Sequence, residues 1–189
     1  DWYDESVRTG GSLAERVCLR VLECVGNVAG QQVCDLACGQ GLVARHLARR
    51  GARVTGIDRS AKLLEIARRE EQAEPLGIVY REDDAQTLHS VEDESFDGVA
   101  CSLALMDIPD LTAVLRSVHR VLRPGGWFVF SITHPCFQIP LSPAATTDGS
   151  SYFAEGFWRS DYPDGVRGKV GALHRTLSSY LNTLSEASF

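Results

Sequence analysis

The sequence has no uninterrupted apolar stretch of the roughly 18 residues that a membrane-spanning helix needs, so no transmembrane segment is expected. Positive charge is also scarce, because 19 lysines and arginines face 25 aspartates and glutamates, which leaves a net charge of −6. That balance disfavours partners bound through nucleic-acid phosphates. The chain has no P-loop, no G-x-S-x-G elbow and no H-E-x-x-H motif, so the usual signatures of nucleotide hydrolases, serine hydrolases and zinc proteases are missing.

The length and composition predict one globular domain over residues 1–189. Six cysteines lie mostly in apolar segments, and in a chain of this size buried reduced thiols are more common than disulfides. We therefore expect a cytoplasmic protein. Cys34 and Cys38 lack the usual zinc spacing and have no second pair, so no metal site is predicted.

One stretch near the start of the chain organises the rest. A short apolar run ends at Asp35, a turn with Gly39 and Gly41 follows, and residues 42–50 have helical spacing. The next apolar run ends on Asp58. Strand, tight turn, helix, strand and acid form the front half of a doubly wound nucleotide-binding sheet, in which glycines let the backbone approach a ligand and the acid accepts ribose hydroxyls.

Two cofactors fit this frame. Gly39, Gly41 and Ala44 satisfy the dinucleotide pattern G-x-G-x-x-G/A, so NAD and an oxidoreductase function are one reading. Asp35, however, lies just before the turn and would place a like charge near a pyrophosphate. S-adenosylmethionine has no phosphate and carries an ammonium and a sulfonium, which Asp35 would favour. The pattern therefore favours S-adenosylmethionine over NAD.

Over residues 33–133 the chain resembles the class I S-adenosylmethionine-dependent methyltransferases of the small-molecule type. The resemblance rests on Asp35–Gly41, Gly56–Ser60, Asp83–Ala85, Phe96–Ser102 and Leu122–Gly126. It implies an α/β three-layer sandwich with a doubly wound, mainly parallel sheet in the strand order 3-2-1-4-5, the Rossmann-like methyltransferase fold. The sixth and the antiparallel seventh strand of that family are expected to be missing. The family usually has glycine where this chain has Ala37, and we expect tighter packing there.

The resemblance also implies how the cofactor is held. The candidate cofactor-binding residues are Asp35, Ala37, Gly39, Gly41, Asp58, Arg59, Asp84, Ala85 and Ser102. In this reading Asp58 accepts the ribose hydroxyls, Asp84 accepts the adenine amino group, and the Ala85 backbone contacts the ring. Arg59 either lies along the adenine or is solvated. The product would be S-adenosylhomocysteine.

Fewer residues indicate the acceptor site. Methyl transfer is an in-line displacement that releases a neutral thioether, so a base is needed only if the nucleophile must lose a proton. The candidates near the acceptor are Met106, His134 and His174. Asp107 is either a loop acid or a substrate contact. The acceptor is expected to be a small molecule, with neither nucleic acid nor membrane as partner.

The remaining segments carry weaker expectations. Residues 1–30 are predicted to form a flap and a helix, residues 31–134 the cofactor-binding core, and residues 172–189 a C-terminal helix. Residues 135–171 mix polar and aromatic side chains and are predicted to be a substrate lid, with a packed hairpin or a dimer contact as alternatives. A protein that binds S-adenosylmethionine without catalysis is a further alternative.

Overall fold

Five parallel strands form the main sheet, in the order β3-β2-β1-β4-β5. A computed structural model describes residues 13–137, 152–160, 163 and 165–189, and the flap predicted at the start of residues 1–30 lies outside them. The strands are β1 (Gln32–Leu36), β2 (Arg53–Asp58), β3 (Val79–Glu82), β4 (Phe96–Ser102) and β5 (Leu122–Ser131). The predicted doubly wound sheet and its strand order are confirmed.

Helices cover both faces of this sheet. They are α1 (Leu13–Val25), α2 (Leu42–Arg49), α3 (Ala61–Ala73), α4 (Leu111–Val121), α5 (Val166–Val170) and α6 (Leu177–Glu186), with single 3-10 turns at Leu105–Asp107 and Pro135–Phe137. Buried residues of α1, α2 and α3 pack in one core cluster, and those of α4 and α6 pack in another. Because adjacent strand residues such as Val33 and Cys34 enter different clusters, the sheet separates two cores, as a three-layer sandwich requires.

Side-chain caps fix where several helices begin. The Ser60 hydroxyl accepts a hydrogen bond from the Leu63 N–H at 3.4 Å and so caps the N-terminus of α3. Asp110 caps α4 and Thr176 caps α6 in the same way. The helix predicted over residues 172–189 therefore begins only after Thr176, because residues 172–174 form a strand instead.

A small second sheet precedes that helix. Strands β6 (Gly156–Trp158) and β7 (Ala172–His174) pair in antiparallel fashion. Strand β6 and helix α5 account for part of the predicted lid over residues 135–171, of which residues 138–151, 161, 162 and 164 lie outside the described residues. Whether this region acts as a lid stays a prediction.

The fifth strand differs from expectation. The apolar run of residues 127–132 predicts a strand buried on both faces, but these side chains are only half-buried. The reason is topological: β5 pairs with β4 alone and stands at the edge of the five-stranded sheet. Within the described residues, no helix combines the length and apolar character needed to cross a membrane.

Candidate functional site

A cavity of about 400 Å³ opens at the carboxyl ends of the strands, within the size range of small-molecule sites. Seven of the nine residues predicted to hold the cofactor line it: Ala37, Gly39, Asp58, Arg59, Asp84, Ala85 and Ser102. They lie at or just after the ends of β1, β2, β3 and β4, so the parallel sheet brings together segments that are far apart in sequence. Asp35 and Gly41 do not line this cavity.

Asp58 ties two of these segments together. One carboxylate oxygen accepts the Gly39 N–H at 2.8 Å, and the other accepts the Ser60 N–H at 2.8 Å. Asp58 is buried, and its remaining accessible surface faces the cavity. Because each carboxylate oxygen has two lone pairs, Asp58 can also accept hydroxyl groups from a ligand.

Asp35 lies beneath the glycine turn. Its carboxylate accepts the Ala44 N–H at 2.8 Å and is 1% exposed, so it already occupies a donor at the N-terminus of α2. Burial is the main cause that raises the pKa of Asp35 to about 7. A cation placed nearby would stabilise the ionised carboxylate, and an anion would be repelled.

A smaller cavity of about 80 Å³ adjoins Asp35. It shares Ala37, Gly39, Ser102 and Leu103 with the larger cavity, so the two form one branched space at the end of β1. The larger branch therefore suits a ring system, and the smaller branch suits a short chain that ends near the acid.

The turn after β1 depends on its small residues in different ways. Gly39 has φ +55°, and a Cβ there would meet no atom nearer than the Leu63 side chain at 3.9 Å, so its bare backbone faces open cavity. Gly41 has φ +88°, and a Cβ there would lie 2.3 Å from the Tyr80 hydroxyl. Gly39 thus leaves room for a ligand, whereas Gly41 leaves room for Tyr80.

Ala37 also adopts a left-handed conformation, with φ 54°. L-residues with a Cβ are strained there by roughly 1–2 kcal/mol. Where the resembled family usually has glycine, Ala37 therefore strains the backbone, whereas we expected an effect on packing.

The Asp84 carboxylate is held in place by Gln86. It accepts the Gln86 backbone N–H at 2.9 Å, and both of its oxygens lie near the Gln86 side-chain nitrogen, at 3.2 and 3.1 Å. The Gln86 side-chain oxygen in turn accepts the Asp110 N–H at 3.0 Å. This chain of bonds fixes an acceptor at the edge of the cavity, next to the buried Ala85.

The predicted acceptor-side residues do not come together. Met106 is buried and lines a neighbouring cavity rather than the main one. His134 is exposed, and its Nδ1 accepts the Cys136 N–H at 3.2 Å. His174 is buried on β7, and its Nε2 donates to the Tyr152 carbonyl at 2.8 Å. Neither histidine lines the main cavity.

Sequence reasoning missed other residues of the cavity. Leu63 lines it from the first turn of α3. Leu103 and Ile108 line it from the loop after β4, and their position in that loop was the available signal. Val170 lines it from α5, far along the chain, and no local pattern indicated this. Among the residues that the structure describes, no group of three His, Cys, Asp or Glu side chains is placed to hold a metal ion.

Comparison with known proteins gives consistent matches. Residues 34–130, just over half of the chain, match the family described as "Methyltransferase domain". The S-adenosylmethionine dependent methyltransferase structure from Mesorhizobium loti superposes with a TM-score of 0.75 at 34% identity, covering 90% of this chain and 80% of that one.

Two curated relatives are named "Ubiquinone biosynthesis O-methyltransferase". The protein from Alkalilimnicola ehrlichii is 36% identical over 111 residues, which are 59% of this chain and 45% of the relative. The protein from Pseudomonas syringae is 29% identical over 175 residues, which are 85% of this chain and 75% of the relative. The match to the first thus spans less than half of that relative's length.

Proposed function

Because the chain belongs to the class I S-adenosylmethionine-dependent methyltransferase family, we propose that it transfers the methyl group of S-adenosylmethionine to a hydroxyl group of a small molecule. The observation that carries the proposal is the Asp35 carboxylate bound to the N-terminus of α2. The choice of a hydroxyl acceptor is supported by the names of the curated relatives.

The residues of the branched cavity fit this cofactor. Asp58 would accept the ribose hydroxyls, and Asp84 would accept the adenine amino group beside Ala85 and Arg59. The smaller branch would take the amino-acid tail, with its ammonium near Asp35. When bound, S-adenosylmethionine supplies a methyl group on a positively charged sulfur.

The same geometry argues against a dinucleotide. In dinucleotide-binding folds the pyrophosphate lies at the N-terminus of the helix that follows the glycine turn. Here the Ala44 N–H of that helix is bonded to Asp35, whose negative charge would repel a phosphate. The similarity to methyltransferases also disfavours the nicotinamide reading.

The protein's own contribution to the reaction would be position and environment. The glycine turn and the loop after β4 (residues 103–109, the β4 loop) hold the cofactor-binding groups at rigid strand ends. A cofactor held there would present its methyl carbon in line with the nucleophile. The leaving thioether is neutral, so no acid is required. The carboxylates that line the cavity form an electrostatic setting that favours a cationic ligand.

Calorimetry with S-adenosylhomocysteine and with NADH tests the cofactor assignment. We expect the first to bind and the second not to bind. Asp58→Ala should weaken S-adenosylhomocysteine binding by about 1–3 kcal/mol, the usual scale for bonds to a charged acceptor. Glu65→Ala, on an exposed face of α3, is the matched control and should bind normally. Tight binding of NADH, or full affinity in Asp58→Ala, would contradict the assignment.

Turnover and partner class need separate assays. Transfer of a labelled methyl group from S-adenosylmethionine to a metabolite extract, compared with transfer to total RNA, should label the small-molecule fraction alone. The negative net charge of −6 supports that expectation. Cofactor binding without transfer to any acceptor would favour the non-catalytic alternative. A cytoplasmic location is part of the proposal, and cell fractionation tests it.

A further inference from the structure

A second cavity of about 290 Å³ lies directly beside the cofactor cavity. The two share Asp107 and Val170, so these residues stand at their junction. The other residues that line the second cavity are Met106, Pro109, Phe157, Gly171, Ala172 and Leu173. They come from the β4 loop on one side and from the β6–β7 hairpin and α5 on the other.

The chemistry of this second cavity is distinctive. Among the described residues that line it, Asp107 alone carries charge, and most of the others present aliphatic, thioether or aromatic groups. An apolar body would gain from burial against these groups, whereas an anionic group would meet the Asp107 carboxylate. An uncharged, largely apolar molecule with a polar end towards Asp107 fits best.

We propose that this second cavity binds the methyl acceptor, an uncharged molecule with an apolar body, and that Asp107 takes the proton of its hydroxyl nucleophile. The inference rests on the proposed function, since it needs a methyl donor in the adjoining cavity. It assigns the junction between the cavities as the place where nucleophile and methyl group meet.

Asp107 is held at the junction by Arg167. The Arg167 guanidinium forms an ion pair with the Asp107 carboxylate and also donates to the Gly171 carbonyl at 2.9 Å. The Asp107 side chain is 43% exposed; its partial burial raises the pKa of the carboxyl, and the ion pair with Arg167 acts in the opposite direction. A carboxylate whose pKa is raised is a stronger base than an ordinary one, which suits it to accept a proton.

A second arginine supports the loop from behind. Arg175 donates to the carbonyls of Leu105, Ile108 and Pro109, at 2.9, 2.7 and 2.7 Å. These three bonds fix the segment that carries Met106 and Asp107 against the start of α6. Arg175 is therefore a positioning residue for both cavities, because it contacts the loop and lines neither cavity.

The proposed step balances without any further reagent. The hydroxyl oxygen forms a bond to the methyl carbon while the carbon–sulfur bond breaks and its electron pair passes to sulfur. The sulfonium becomes a neutral thioether. The hydroxyl proton passes to the Asp107 carboxylate, which later releases it to solvent.

Occupation of the second cavity is tested by binding to the protein loaded with S-adenosylhomocysteine. The probes are methyl protocatechuate, which is uncharged, and protocatechuate, which differs only by its free carboxylate. We expect the ester to bind at least about tenfold more tightly than the acid, a difference of about 1.4 kcal/mol. Equal or stronger binding of the acid, or no binding of the ester, overturns the assignment.

Leu173→Trp fills the second cavity without touching the first, since Leu173 lines only the second. The variant should keep its affinity for S-adenosylhomocysteine and lose ester binding by about tenfold or more. Leu181→Trp, at an exposed leucine of α6, is the matched control and should leave both unchanged. Unaltered ester binding in Leu173→Trp overturns the proposal.

The role of Asp107 is tested with Asp107→Asn. Loss of a general base should lower the rate of methyl transfer to the ester by about 100-fold or more, with ester binding retained. The loss should shrink with nitrocatechol, whose more acidic hydroxyl needs less help, when both acceptors are assayed at a pH at which they are uncharged. A purely structural role would not produce that difference. An unchanged rate, or an equal loss with both acceptors, refutes the base assignment. Failure of the wild-type protein to bind S-adenosylhomocysteine would instead refute the proposed function itself.

Discussion

Asp35→Asn separates what the buried carboxylate does for the fold from what it does for the ligand. The amide oxygen of asparagine can still accept the Ala44 N–H, so the start of α2 should keep its partner. The charge is removed, and with it the free energy needed to bury an ionised carboxylate that is 1% exposed.

The size of the stability effect follows from the pKa. Burial raises the pKa of Asp35 from 3.8 to about 7, so the folded protein holds this proton more tightly than the unfolded chain does. The associated stability is fully present below pH 3.8 and is lost as the pH rises to about 7. At about 1.4 kcal/mol per pH unit, this corresponds to about 4 kcal/mol as an upper value.

Asp35→Asn has no carboxyl group to ionise at this position, so it should not lose stability as the pH rises to about 7. Its free energy of unfolding should match that of the wild type near pH 4 and exceed it by about 2–4 kcal/mol at pH 8. In a chain of this size that is a rise in Tm of roughly 4–16 °C. The same variant should bind S-adenosylmethionine more weakly by about 1–3 kcal/mol, because the ammonium loses a charged partner.

Urea unfolding at a series of pH values, followed by calorimetry with the cofactor, measures both effects. Asp93→Asn, at an exposed ion pair with Arg120, is the control and should show neither. If Asp35→Asn gains no stability at pH 8, the account of a costly buried charge is wrong. If its stability rises but cofactor affinity is unchanged, Asp35 does not hold the ammonium.

Four further predictions concern the turn after β1 and the loop after β4. Gly39→Val should abolish cofactor binding because its side chain would enter the cavity, and normal binding in calorimetry would refute a close approach of the ligand to the Gly39 backbone. Gly41→Ala should mainly lower Tm, because its Cβ would lie 2.3 Å from the Tyr80 hydroxyl oxygen. Ala37→Gly should raise the free energy of unfolding by about 0.5–1 kcal/mol as left-handed strain is relieved, and a loss of stability in urea would contradict this. Arg175→Lys keeps the charge but not the three directed bonds, so kcat should fall while affinity for S-adenosylhomocysteine is retained; an unchanged kcat would show that the loop needs no such support.

The sequence alone determined the elements of the main sheet and the chemistry of their ends. Glycines in the turn after β1 and acids after β2 and β3 are local signals, because turn conformation and hydrophobic periodicity depend on neighbouring residues. A parallel sheet then brings all strand ends to one edge, so seven of the nine predicted cofactor residues line one cavity. The strand order followed from the resemblance, which the structure confirms.

Only the tertiary structure decided which distant groups face one another. Asp107 meets Arg167 across 60 positions of sequence, and Val170 reaches the junction of the two cavities from α5. It also separated Gly39 from Gly41, since one faces open space and the other faces Tyr80. Such pairings depend on how the loops and the hairpin pack against the sheet, and periodicity along the chain carries no record of that packing.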